Sequence, residues 1–536
     1  MTCIATLEID QLDIALPPGA DRTHAVTSLS LAIEPGRTLC VVGESGSGKS
    51  VMATSVMGLL PRELRVTAGR IRLEGESLLE ADRARLRALR GKAMGMVFQE
   101  PMTALNPVMR CGDQIDELLR THTRESLAER LRAIRAVLER VHLSEPNRIL
   151  HSYPHQLSGG QRQRIVIAMA VILKPALLIC DEPTTALDVT TQKEILTLIA
   201  ELQRDQGSAV LFITHDMGVV AEIANDILVM HEGRCVEQGP RDQILRTPSA
   251  EYTRMLLAAV PGMTPPAPRE RPPAATRLSA HAVGKTYVGR DWVGRRRETA
   301  ALKDASLALE GGETIGIVGE SGSGKSTFAR CLIRLIDPTE GDIFWGSDEV
   351  ARRPERMLRS LRHRVQVVFQ DPNRSLNPRR TVGQSIIEGA MNFGASRADA
   401  QALAERLIGQ VRLPAQSLDR YPSQFSGGQR QRIAIARALA CQPEVLVADE
   451  AVSALDVSVQ AQILDLLRDI QSELGLGLLF ITHDLRVAAQ LCDRVIVMQR
   501  GRIVEQGVTQ ALYAAPQHPY TRHLLASAPA GLDTGR

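Results

Sequence analysis

The sequence predicts an α/β protein in which one domain type occurs twice. Two observations predict it: four motif blocks recur at nearly constant spacing along the 536 residues, and short apolar runs end in acidic residues at matching places in both copies. Runs such as 176–182 and 445–450 are typical of strands that are buried on both faces of a parallel sheet. The chain is also long enough to build several hydrophobic cores.

The repeat covers nearly the whole chain. The block VVGESGSGKS at 41–50 returns as IVGESGSGKS at 317–326, and the blocks that begin at 156, 181 and 211 return at 424, 449 and 479, which is 268 residues later each time. This spacing is several times the 20–50 residues of a solenoid repeat, so each copy is a whole domain.

The copies set the predicted domain boundaries. We expect a first domain over 1–260 and a second over 277–536, each with a short C-terminal tail. Between them, 261–276 is predicted to be a proline-rich linker, because six prolines within 261–273 favour an extended, semi-rigid spacer. A helical insert is predicted between the first and second blocks, where apolar residues at helical spacing mark one packed face. In the first copy these residues are Leu127, Leu131, Ile134, Leu138 and Val141.

Composition excludes several classes of protein. No apolar run approaches the roughly 18 residues that a membrane-spanning helix needs, and the first ten residues lack the pattern of a signal peptide, so the chain is predicted to stay in the cytosol. A net charge of +3 and an aromatic content of 3% disfavour binding to nucleic acid. The 8 cysteines form no CxxC pair, which predicts core thiols and no metal site.

Two glycine-rich loops predict phosphate binding. Residues 43–50 and 319–326 both match G-x-x-x-x-G-K-[ST] between a strand-like and a helix-like segment, where backbone N–H groups and a helix N-terminus attract phosphate. The lysines are predicted to contact the β- and γ-phosphates of ATP and the hydroxyls after them to bind Mg²⁺. The predicted nucleotide-binding residues of the first loop are Gly43, Glu44, Ser45, Gly46, Ser47, Gly48, Lys49, Ser50 and Val51. Those of the second loop are Gly319, Glu320, Ser321, Gly322, Ser323, Gly324, Lys325, Ser326 and Thr327.

Acidic residues and histidines complete the predicted catalytic sets. Asp181 and Asp449 end strand-like runs and are predicted to hold Mg²⁺ through water, while the glutamate after each is predicted to polarise the attacking water. A histidine follows another apolar run in each copy and is predicted to reach the γ-phosphate. The predicted catalytic residues are therefore Glu182, Glu450, His215 and His483.

These residues resemble the ATP-binding cassette (ABC) family. LSGGQ at 157–161 and FSGGQ at 425–429 are similar to the family signature, Gln99 and Gln370 resemble its Q-loop glutamine, and TALD at 185–188 and SALD at 453–456 resemble its D-loop. The resemblance implies two P-loop NTPase cassettes in tandem, each with a helical subdomain. It also implies that both glutamines contact the nucleotide and its Mg²⁺.

The resemblance further implies how the cassettes share ATP. In this family two cassettes pair head to tail, so that each nucleotide lies between the glycine loop of one and the signature of the other. Loop 43–50 would then face the second signature, and loop 319–326 the first. The implied signature contacts are Ser158, Gly159, Gly160, Gln161, Ser426, Gly427, Gly428 and Gln429. Both sets are complete, so we expect both sites to hydrolyse ATP.

The adenine contacts are expected to differ between the copies. Family members usually stack adenine on an aromatic residue upstream of the glycine loop, and Tyr287 occupies that place in the second copy. The first copy has no aromatic residue there, so adenine is expected to rest on aliphatic side chains such as Ile14. Val51 also replaces the second hydroxyl that Thr327 supplies.

Within the family, the resemblance is to the oligopeptide/dipeptide importers. It rests on GESGSGKS, on the segments 104–107 and 375–378, and on the tail 516–529, which is echoed at 248–261. It implies an ATPase that energises peptide import through two membrane permeases, with an extracytoplasmic substrate-binding protein, at the cytoplasmic face of the inner membrane. The tails lack clustered cysteines, so no iron–sulfur cluster is expected. The alternatives are a tandem ATPase acting on ribosomes or DNA, and the ATPase of a sugar, glutathione or nickel importer.

Overall fold

The structure is a computed structural model that describes residues 4–99, 101–185, 187–267, 274–290, 296–453 and 455–528. The chain divides between Val260 and Pro261 into two compact units, and each is described by itself. Each unit contains a four-stranded antiparallel sheet, a six-stranded sheet that is mostly parallel, and a group of helices. The predicted α/β class is confirmed.

The first unit contains ten strands within the described residues. They are β1 (Leu7–Ala15), β2 (His24–Ile33), β3 (Thr38–Val42), β4 (Arg65–Leu73), β5 (Glu76–Ser77), β6 (Met94–Val97), β7 (Leu177–Asp181), β8 (Ala209–Ile213), β9 (Asp226–His231) and β10 (Arg234–Pro240). The small sheet has the order β2-β1-β4-β5 and the large sheet the order β10-β9-β3-β8-β7-β6. In the large sheet only the edge strand β10 is antiparallel to its neighbour.

Helices follow most strands of this unit. They are α1 (Lys49–Val56), α2 (Arg83–Leu89), α3 (Pro101–Ala104), α4 (Cys111–His122), α5 (Leu127–Arg140), α6 (Pro146–His151), α7 (Gly159–Val171), α8 (Val189–Gln206), α9 (Met217–Ile223), α10 (Arg241–Arg246) and α11 (Glu251–Ala258). A short 3₁₀ helix spans Pro154–Gln156. The helices from α3 to α6 form the predicted insert between the glycine loop and the signature.

The predicted insert helix is α5, although its apolar face is shorter than expected. A capping box begins the helix, since the Ser126 side chain accepts from the Glu129 N–H and the Glu129 carboxylate accepts from the Ser126 N–H at 2.7 Å. Ile134 and Leu138 are fully buried, but Leu127 is 59% exposed, so its placement on the packed face was wrong. It is the first helical residue, in a stretch from 124 to 129 that is exposed throughout.

The second unit repeats this order of strands. They are β11 (Thr276–Arg290), β12 (Arg296–Glu310), β13 (Thr314–Val318), β14 (Glu340–Trp345), β15 (Asp348–Glu349), β16 (Val365–Val368), β17 (Val445–Asp449), β18 (Gly477–Ile481), β19 (Arg494–Gln499) and β20 (Arg502–Val508). The sheet orders are β12-β11-β14-β15 and β16-β17-β18-β13-β19-β20. Strands β11 and β12 are longer than their counterparts in the first unit and pair antiparallel.

The helices of the second unit also match those of the first. They are α12 (Lys325–Leu332), α13 (Glu355–Leu358), α14 (Pro372–Ser375), α15 (Val382–Asn392), α16 (Arg397–Gln410), α17 (Gly427–Leu439), α18 (Val457–Leu474), α19 (Leu485–Leu491), α20 (Thr509–Ala514) and α21 (Pro519–Ser527). Short 3₁₀ helices lie at Arg362–Arg364, Ala415–Asp419 and Pro422–Gln424. No helix of the described ranges is long and apolar enough to cross a membrane.

Each large sheet is buried on both faces. In β3, Leu39 and Val41 pack into the core shared with the small sheet, while Cys40 and Val42 pack into the core shared with the helices. Side chains of a strand alternate between faces, so a strand covered on both sides must be apolar throughout. This is why the continuous apolar runs correctly predicted parallel strands at β7 and β17.

The start of the proline-rich segment is held against the second unit. The Gln490 side-chain amide donates to the Gly262 carbonyl at 2.9 Å and to the Thr264 carbonyl at 2.8 Å. Met263, between them, packs against the hydrophobic core of that unit. At the other end, β11 begins at Thr276, the last residue of the predicted linker.

Candidate functional site

Each glycine-rich loop joins the central strand of a large sheet to the helix that follows. In the first unit the loop runs from the end of β3 to α1, which begins at Lys49. Gly43 and Gly48 have φ angles of 150° and 99°, which side-chain-bearing residues rarely adopt. A Cβ atom at Gly43 would lie 2.1 Å from the Met230 carbonyl oxygen, and one at Gly48 would lie 2.4 Å from the Ala25 carbonyl oxygen. The glycines are therefore required by the path of the backbone.

The loop lysines are held inside this curve of backbone. Lys49 Nζ donates to the carbonyls of Gly43 at 2.7 Å and Glu44 at 2.8 Å. In the second unit Lys325 Nζ donates to the corresponding carbonyls of Gly319 and Glu320 at the same two distances. Both lysines are only 5% exposed. Each ammonium group is thus fixed by main-chain oxygens at the N-terminus of a helix.

A hydroxyl and a carboxylate lie together beside each lysine. Ser50 Oγ donates to Asp181 Oδ1 at 3.0 Å, and Ser326 Oγ donates to Asp449 Oδ1 at 3.4 Å. Burial raises the pKa of Asp181 to about 6, and the neighbouring Glu182 carboxylate acts in the same direction. Burial raises the pKa of Asp449 as well. A buried carboxylate of this kind is stabilised by a nearby cation.

The glutamate after each aspartate has a strained backbone. Glu182 and Glu450 have φ angles of 48° and 50°, in the left-handed region that costs a residue other than glycine about 1–2 kcal/mol. The conformation is held by hydrogen bonds from their N–H groups to the carbonyls of Ile213 at 2.9 Å and Ile481 at 3.0 Å. Backbone strain of this kind clusters at functional sites. The strained glutamate occurs at the same position in both repeats of the chain.

The Glu182 carboxylate is surrounded by the other predicted residues. Its Oε2 accepts from Gln99 Nε2 and from Thr185 Oγ1, both at 2.9 Å, and its Oε1 lies 3.3 Å from His215 Nδ1. Burial alone would raise the pKa of Glu182, but the hydrogen bond and charge of His215 outweigh it and lower that pKa to about 2. The carboxylate is therefore ionised at neutral pH.

The second unit builds the same arrangement. Gln370 Nε2 donates to Glu450 Oε2 at 2.9 Å and to Ser453 Oγ at 3.3 Å, and His483 Nδ1 lies 3.7 Å from Glu450 Oε1. Interaction with His483 again outweighs burial and lowers the pKa of Glu450. In each unit the structure thus brings the predicted lysine, hydroxyl, acidic pair, glutamine and histidine to one end of the large sheet.

The signature residues occupy helix N-termini elsewhere in each unit. Ser158 caps α7, where its Oγ accepts from the Gln161 N–H at 3.2 Å and the Gln161 side chain accepts from the Ser158 N–H at 3.0 Å. Ser426 and Gln429 form the same capping box on α17. Within either unit, none of the hydrogen bonds described joins these residues to the glycine loop. Their N–H groups and the helix dipole suit an anion.

Of the two residues expected to contact adenine, one is exposed and the other is buried. Tyr287 lies on β11 and is 41% exposed as a residue, and the Lys285 ammonium lies 5.4 Å from its ring centroid. Ile14 is fully buried in the core, so the expectation that it supports adenine is wrong. On β1 it pairs with Val26 and faces the large sheet, because alternation places it on the covered side. Val51 is partly buried against the same core.

Sequence reasoning missed two tyrosines of the tails. The Tyr252 hydroxyl accepts from the Glu44 N–H at 3.4 Å, and the Tyr520 hydroxyl accepts from the Glu320 N–H at 3.1 Å. The signal was present, since the tail echo at 248–261 and 516–529 places both tyrosines 268 residues apart. It could not reveal that each tail returns to its own glycine loop.

Within the ranges that the structure describes, no three His, Cys, Asp or Glu side chains converge as a metal cluster would require. The described cysteines are free thiols, most of them buried. The expectation of no iron–sulfur cluster stays an expectation.

Comparisons with known families agree with this geometry. A family model described as ABC transporter matches residues 26–185 and 302–453, which is more than half of the chain. The chain belongs to the ABC transporter family. A second model, described as the C-terminal region of oligopeptide/dipeptide transporters, matches residues 236–295 and 504–534, which include both tails.

Similar proteins extend over nearly the whole chain. The glutathione import ATP-binding protein GsiA of Escherichia coli K12 is 45% identical over 98% of this chain and 89% of its own length. The protein of the same name from Salmonella typhimurium LT2 is 44% identical with the same coverage. A solved dimeric ABC cassette bound to ADP and phosphate matches 43% of this chain and 98% of its own, with 30% identity and a TM-score of 0.40.

The sequence prediction of the family is confirmed. The chain is a tandem ATP-binding protein of the peptide-importer subfamily of ABC transporters, with two cassettes and two tails of the oligopeptide/dipeptide type. It is an ATPase whose activity is coupled to transport, it acts with membrane permeases, and it is peripheral to the membrane.

Proposed function

We propose that the chain hydrolyses ATP at two Mg²⁺-dependent sites to drive the import of small peptides, glutathione among them. The observation that carries the proposal is the similarity, along 98% of the chain, to proteins named for glutathione import. The tails of the oligopeptide/dipeptide type support it, because they connect the chain to peptide transport in general. Glutathione is itself a tripeptide, so the two indications agree.

The donor set beside each lysine fits Mg²⁺. Ser50 and Asp181 present a hydroxyl and a carboxylate oxygen, which are the hard oxygen ligands that this ion prefers. The third proposed ligand is the amide oxygen of Gln99, whose Nε2 donates to the neighbouring Glu182. Ser326, Asp449 and Gln370 are the corresponding set in the second cassette. The raised pKa of Asp181 supports the assignment, because the Ser50 hydrogen bond and the charge of Lys49 offset the burial of this carboxylate only in part. Bound Mg²⁺ would neutralise charge on the phosphates.

The remaining groups supply positioning and proton transfer. Lys49 and Lys325 hold the phosphates of ATP in the backbone curve. The carboxylates of Glu182 and Glu450 orient the attacking water and accept its proton. The histidine beside each carboxylate keeps it ionised and in place, and lies at the edge of the site where the γ-phosphate would be. The two cassettes match at every one of these positions, so both sites hydrolyse ATP in this proposal.

The signature residues complete each site from the other cassette. Ser158 and Ser426 cap helices whose N-termini favour an anion, and in the proposal these N-termini close over the phosphates held by the loops. In the proposed assembly the cassettes, 1–260 and 277–536, pair within one chain through the 261–276 segment. A variant in the second signature would then slow hydrolysis at the first glycine loop. That crossed effect distinguishes pairing from two independent cassettes.

The proposed partners are two permeases and an extracytoplasmic substrate-binding protein, with the chain at the cytoplasmic face of the inner membrane. No nucleic acid is needed. Adenine at the second site stacks on Tyr287, whose exposed ring is available. At the first site residues other than the buried Ile14 contact adenine.

Uptake by whole cells tests the proposal. Cells that depend on this chain should take up labelled glutathione and dipeptides, and a Lys49→Ala/Lys325→Ala protein should abolish uptake while still assembling with its permeases. The control is labelled nickel or a sugar, whose uptake should not respond. Uptake of nickel or sugar in place of peptides would contradict the substrate, and co-isolation with ribosomes in place of permeases would contradict the assembly.

A further inference from the structure

The tails of the two cassettes are fastened to the sheet hairpin of their own unit. The Glu237 carboxylate on β10 accepts from the N–H and the hydroxyl of Ser249, both at 2.7 Å, at the start of the first tail. In the second unit the Glu505 carboxylate on β20 accepts from the N–H groups of Gln517 at 2.8 Å and His518 at 3.1 Å. Each tail helix therefore begins at a fixed point on the cassette.

From that point each tail helix returns to the glycine loop. α11 and α21 pack their apolar residues into the same cores as the large sheets. Their first turns present Tyr252 and Tyr520, whose hydroxyls accept from the N–H groups of Glu44 and Glu320. Burial raises the pKa of Tyr520 to about 12, so its hydroxyl is neutral. The contact is made in both units and by equivalent residues.

The tyrosine hydrogen bond is made to the same peptide group of the loop that contacts the lysine. The carbonyl of Gly43 and the N–H of Glu44 are the two ends of the same peptide group. Lys49 Nζ donates to the carbonyl end at 2.7 Å and Tyr252 accepts from the N–H end at 3.4 Å. Rotation of this peptide, through ψ of Gly43 and φ of Glu44, would break both contacts together, and a glycine restricts its own ψ less than any other residue. The Tyr252 hydroxyl thus fixes the orientation of the peptide group whose carbonyl accepts from Lys49.

The second unit has the same linkage. Lys325 Nζ donates to the Gly319 carbonyl at 2.7 Å, while Tyr520 accepts from the Glu320 N–H at 3.1 Å. Gly319 has a φ angle of 148°, close to that of its counterpart. The shorter tyrosine bond lies in this unit, which makes it the better one to test.

We propose that Tyr252 and Tyr520 are positioning residues for ATP binding, through which each tail sets the phosphate-binding lysine of its own cassette. The inference rests on the proposed nucleotide role of the loops. It gives the tails a function inside the ATPase, in addition to any contact they make with other subunits. The tyrosines do not touch the reacting atoms and act only through the loop.

Removal of one hydroxyl tests the second cassette. In a full-length Lys49→Ala background, only the second site retains its lysine. There Tyr520→Phe removes the hydroxyl that contacts the N–H and the side chain of Glu320, and it should raise the Kd of a fluorescent ATP analogue with Mg²⁺ about two- to tenfold. In ATPase assays of the same protein the KM should rise similarly while kcat stays within about twofold.

Tyr513→Phe is the matched control. The Tyr513 hydroxyl donates to the Leu485 carbonyl at 2.6 Å rather than accepting from a loop N–H, and its ring packs against the same core. Both variants should lower the ligand-free Tm by similar amounts, but only Tyr520→Phe should weaken nucleotide binding. Tyr252→Phe in a Lys325→Ala background repeats the test in the first cassette.

The outcomes separate the two proposals. Equal nucleotide affinity in Tyr520→Phe and Tyr513→Phe, with the parent binding normally, would overturn the positioning role and leave the ATP site intact. A fall in kcat without a change in KM would also overturn it. A Lys49→Ala parent that binds no nucleotide at all would instead contradict the proposed second site, and the inference with it.

Discussion

Replacing Asp181 with asparagine should make the ligand-free protein more stable at neutral pH, although it damages the site. Asp181 is 6% exposed, and burial raises its pKa from 3.8 to about 6, with the Glu182 carboxylate adding to the effect. The Ser50 hydrogen bond and the charge of Lys49 oppose that rise only in part. At pH 7 the folded protein therefore holds an ionised carboxylate in a place that disfavours it.

The magnitude follows from the pKa. A rise of about 2 units, at about 1.4 kcal/mol per unit, sets an upper bound of about 3 kcal/mol. Since the folded pKa is above the unfolded one, the folded protein retains a proton that the unfolded chain has released between about pH 4 and pH 6. Stability consequently falls as pH rises through this window, and the cost is complete above about pH 6. Asparagine cannot ionise, so it removes this cost.

Unfolding by heat and by urea from pH 4 to pH 8, without nucleotide, measures the effect. Asp181→Asn should gain about 1–3 kcal/mol at pH 7, a few degrees in Tm for a domain of this size, and the gain should vanish near pH 4. Asp205→Asn is the control, because Asp205 pairs with Arg140 at 2.6 Å on the surface, where ion pairs contribute about 0–1 kcal/mol. Unlike the wild type, Asp181→Asn should gain little stability from MgATP.

A stability for Asp181→Asn that equals or falls below the wild type at pH 7 would refute this reasoning. The same holds for a gain that persists unchanged at pH 4, where the cost of ionising Asp181 in the folded protein has largely disappeared. Either result would mean that ionisation of the buried Asp181 carboxylate does not destabilise the folded protein, and its raised pKa would no longer support a Mg²⁺ site there.

Two further predictions concern catalysis and the loop. Glu182→Gln and Glu450→Gln should each lower kcat at their own site about 10²- to 10⁴-fold while ATP still binds, whereas Glu201→Gln, at a histidine pair on the surface, should not; an unaffected single variant would identify a silent site. Gly43→Ala should abolish nucleotide binding at the first site, because its Cβ would lie 2.1 Å from a backbone oxygen. The Cβ of Gly46→Ala meets no atom within 4 Å, so this variant should at most weaken binding at the same site; equal behaviour of the two would contradict the steric argument.

Most of the fold could be predicted because the repeat made each motif appear twice. Strands such as β7 and β17 are buried on both faces, so their apolar runs are continuous and end at the acidic residues. The glycine loops were equally readable, since phosphate binding demands particular residues at fixed spacing. Local patterns of this kind specify local structure, and they specified the positions of the lysines and acidic pairs correctly.

What the sequence did not show depends on distant contacts. Ile14 is apolar in an alternating strand, and only the pairing of β1 decides that it faces the core. Leu127 continues a helical apolar spacing, but it is the first residue of α5 and lies in an exposed stretch of the chain. Tyr252 and Glu44 are 208 residues apart, and no local pattern predicts their hydrogen bond. The left-handed φ of Glu182 is likewise imposed by the sheet rather than by its residue type.

The attachment of Gly262 and Thr264 to Gln490 determines where the gene can be divided. A C-terminal half that begins at Pro261 would keep Met263 over its core, whereas one that begins at Thr276 would leave that apolar surface open to water and to aggregation. Two separately expressed halves split after Val260 should therefore be the more soluble pair.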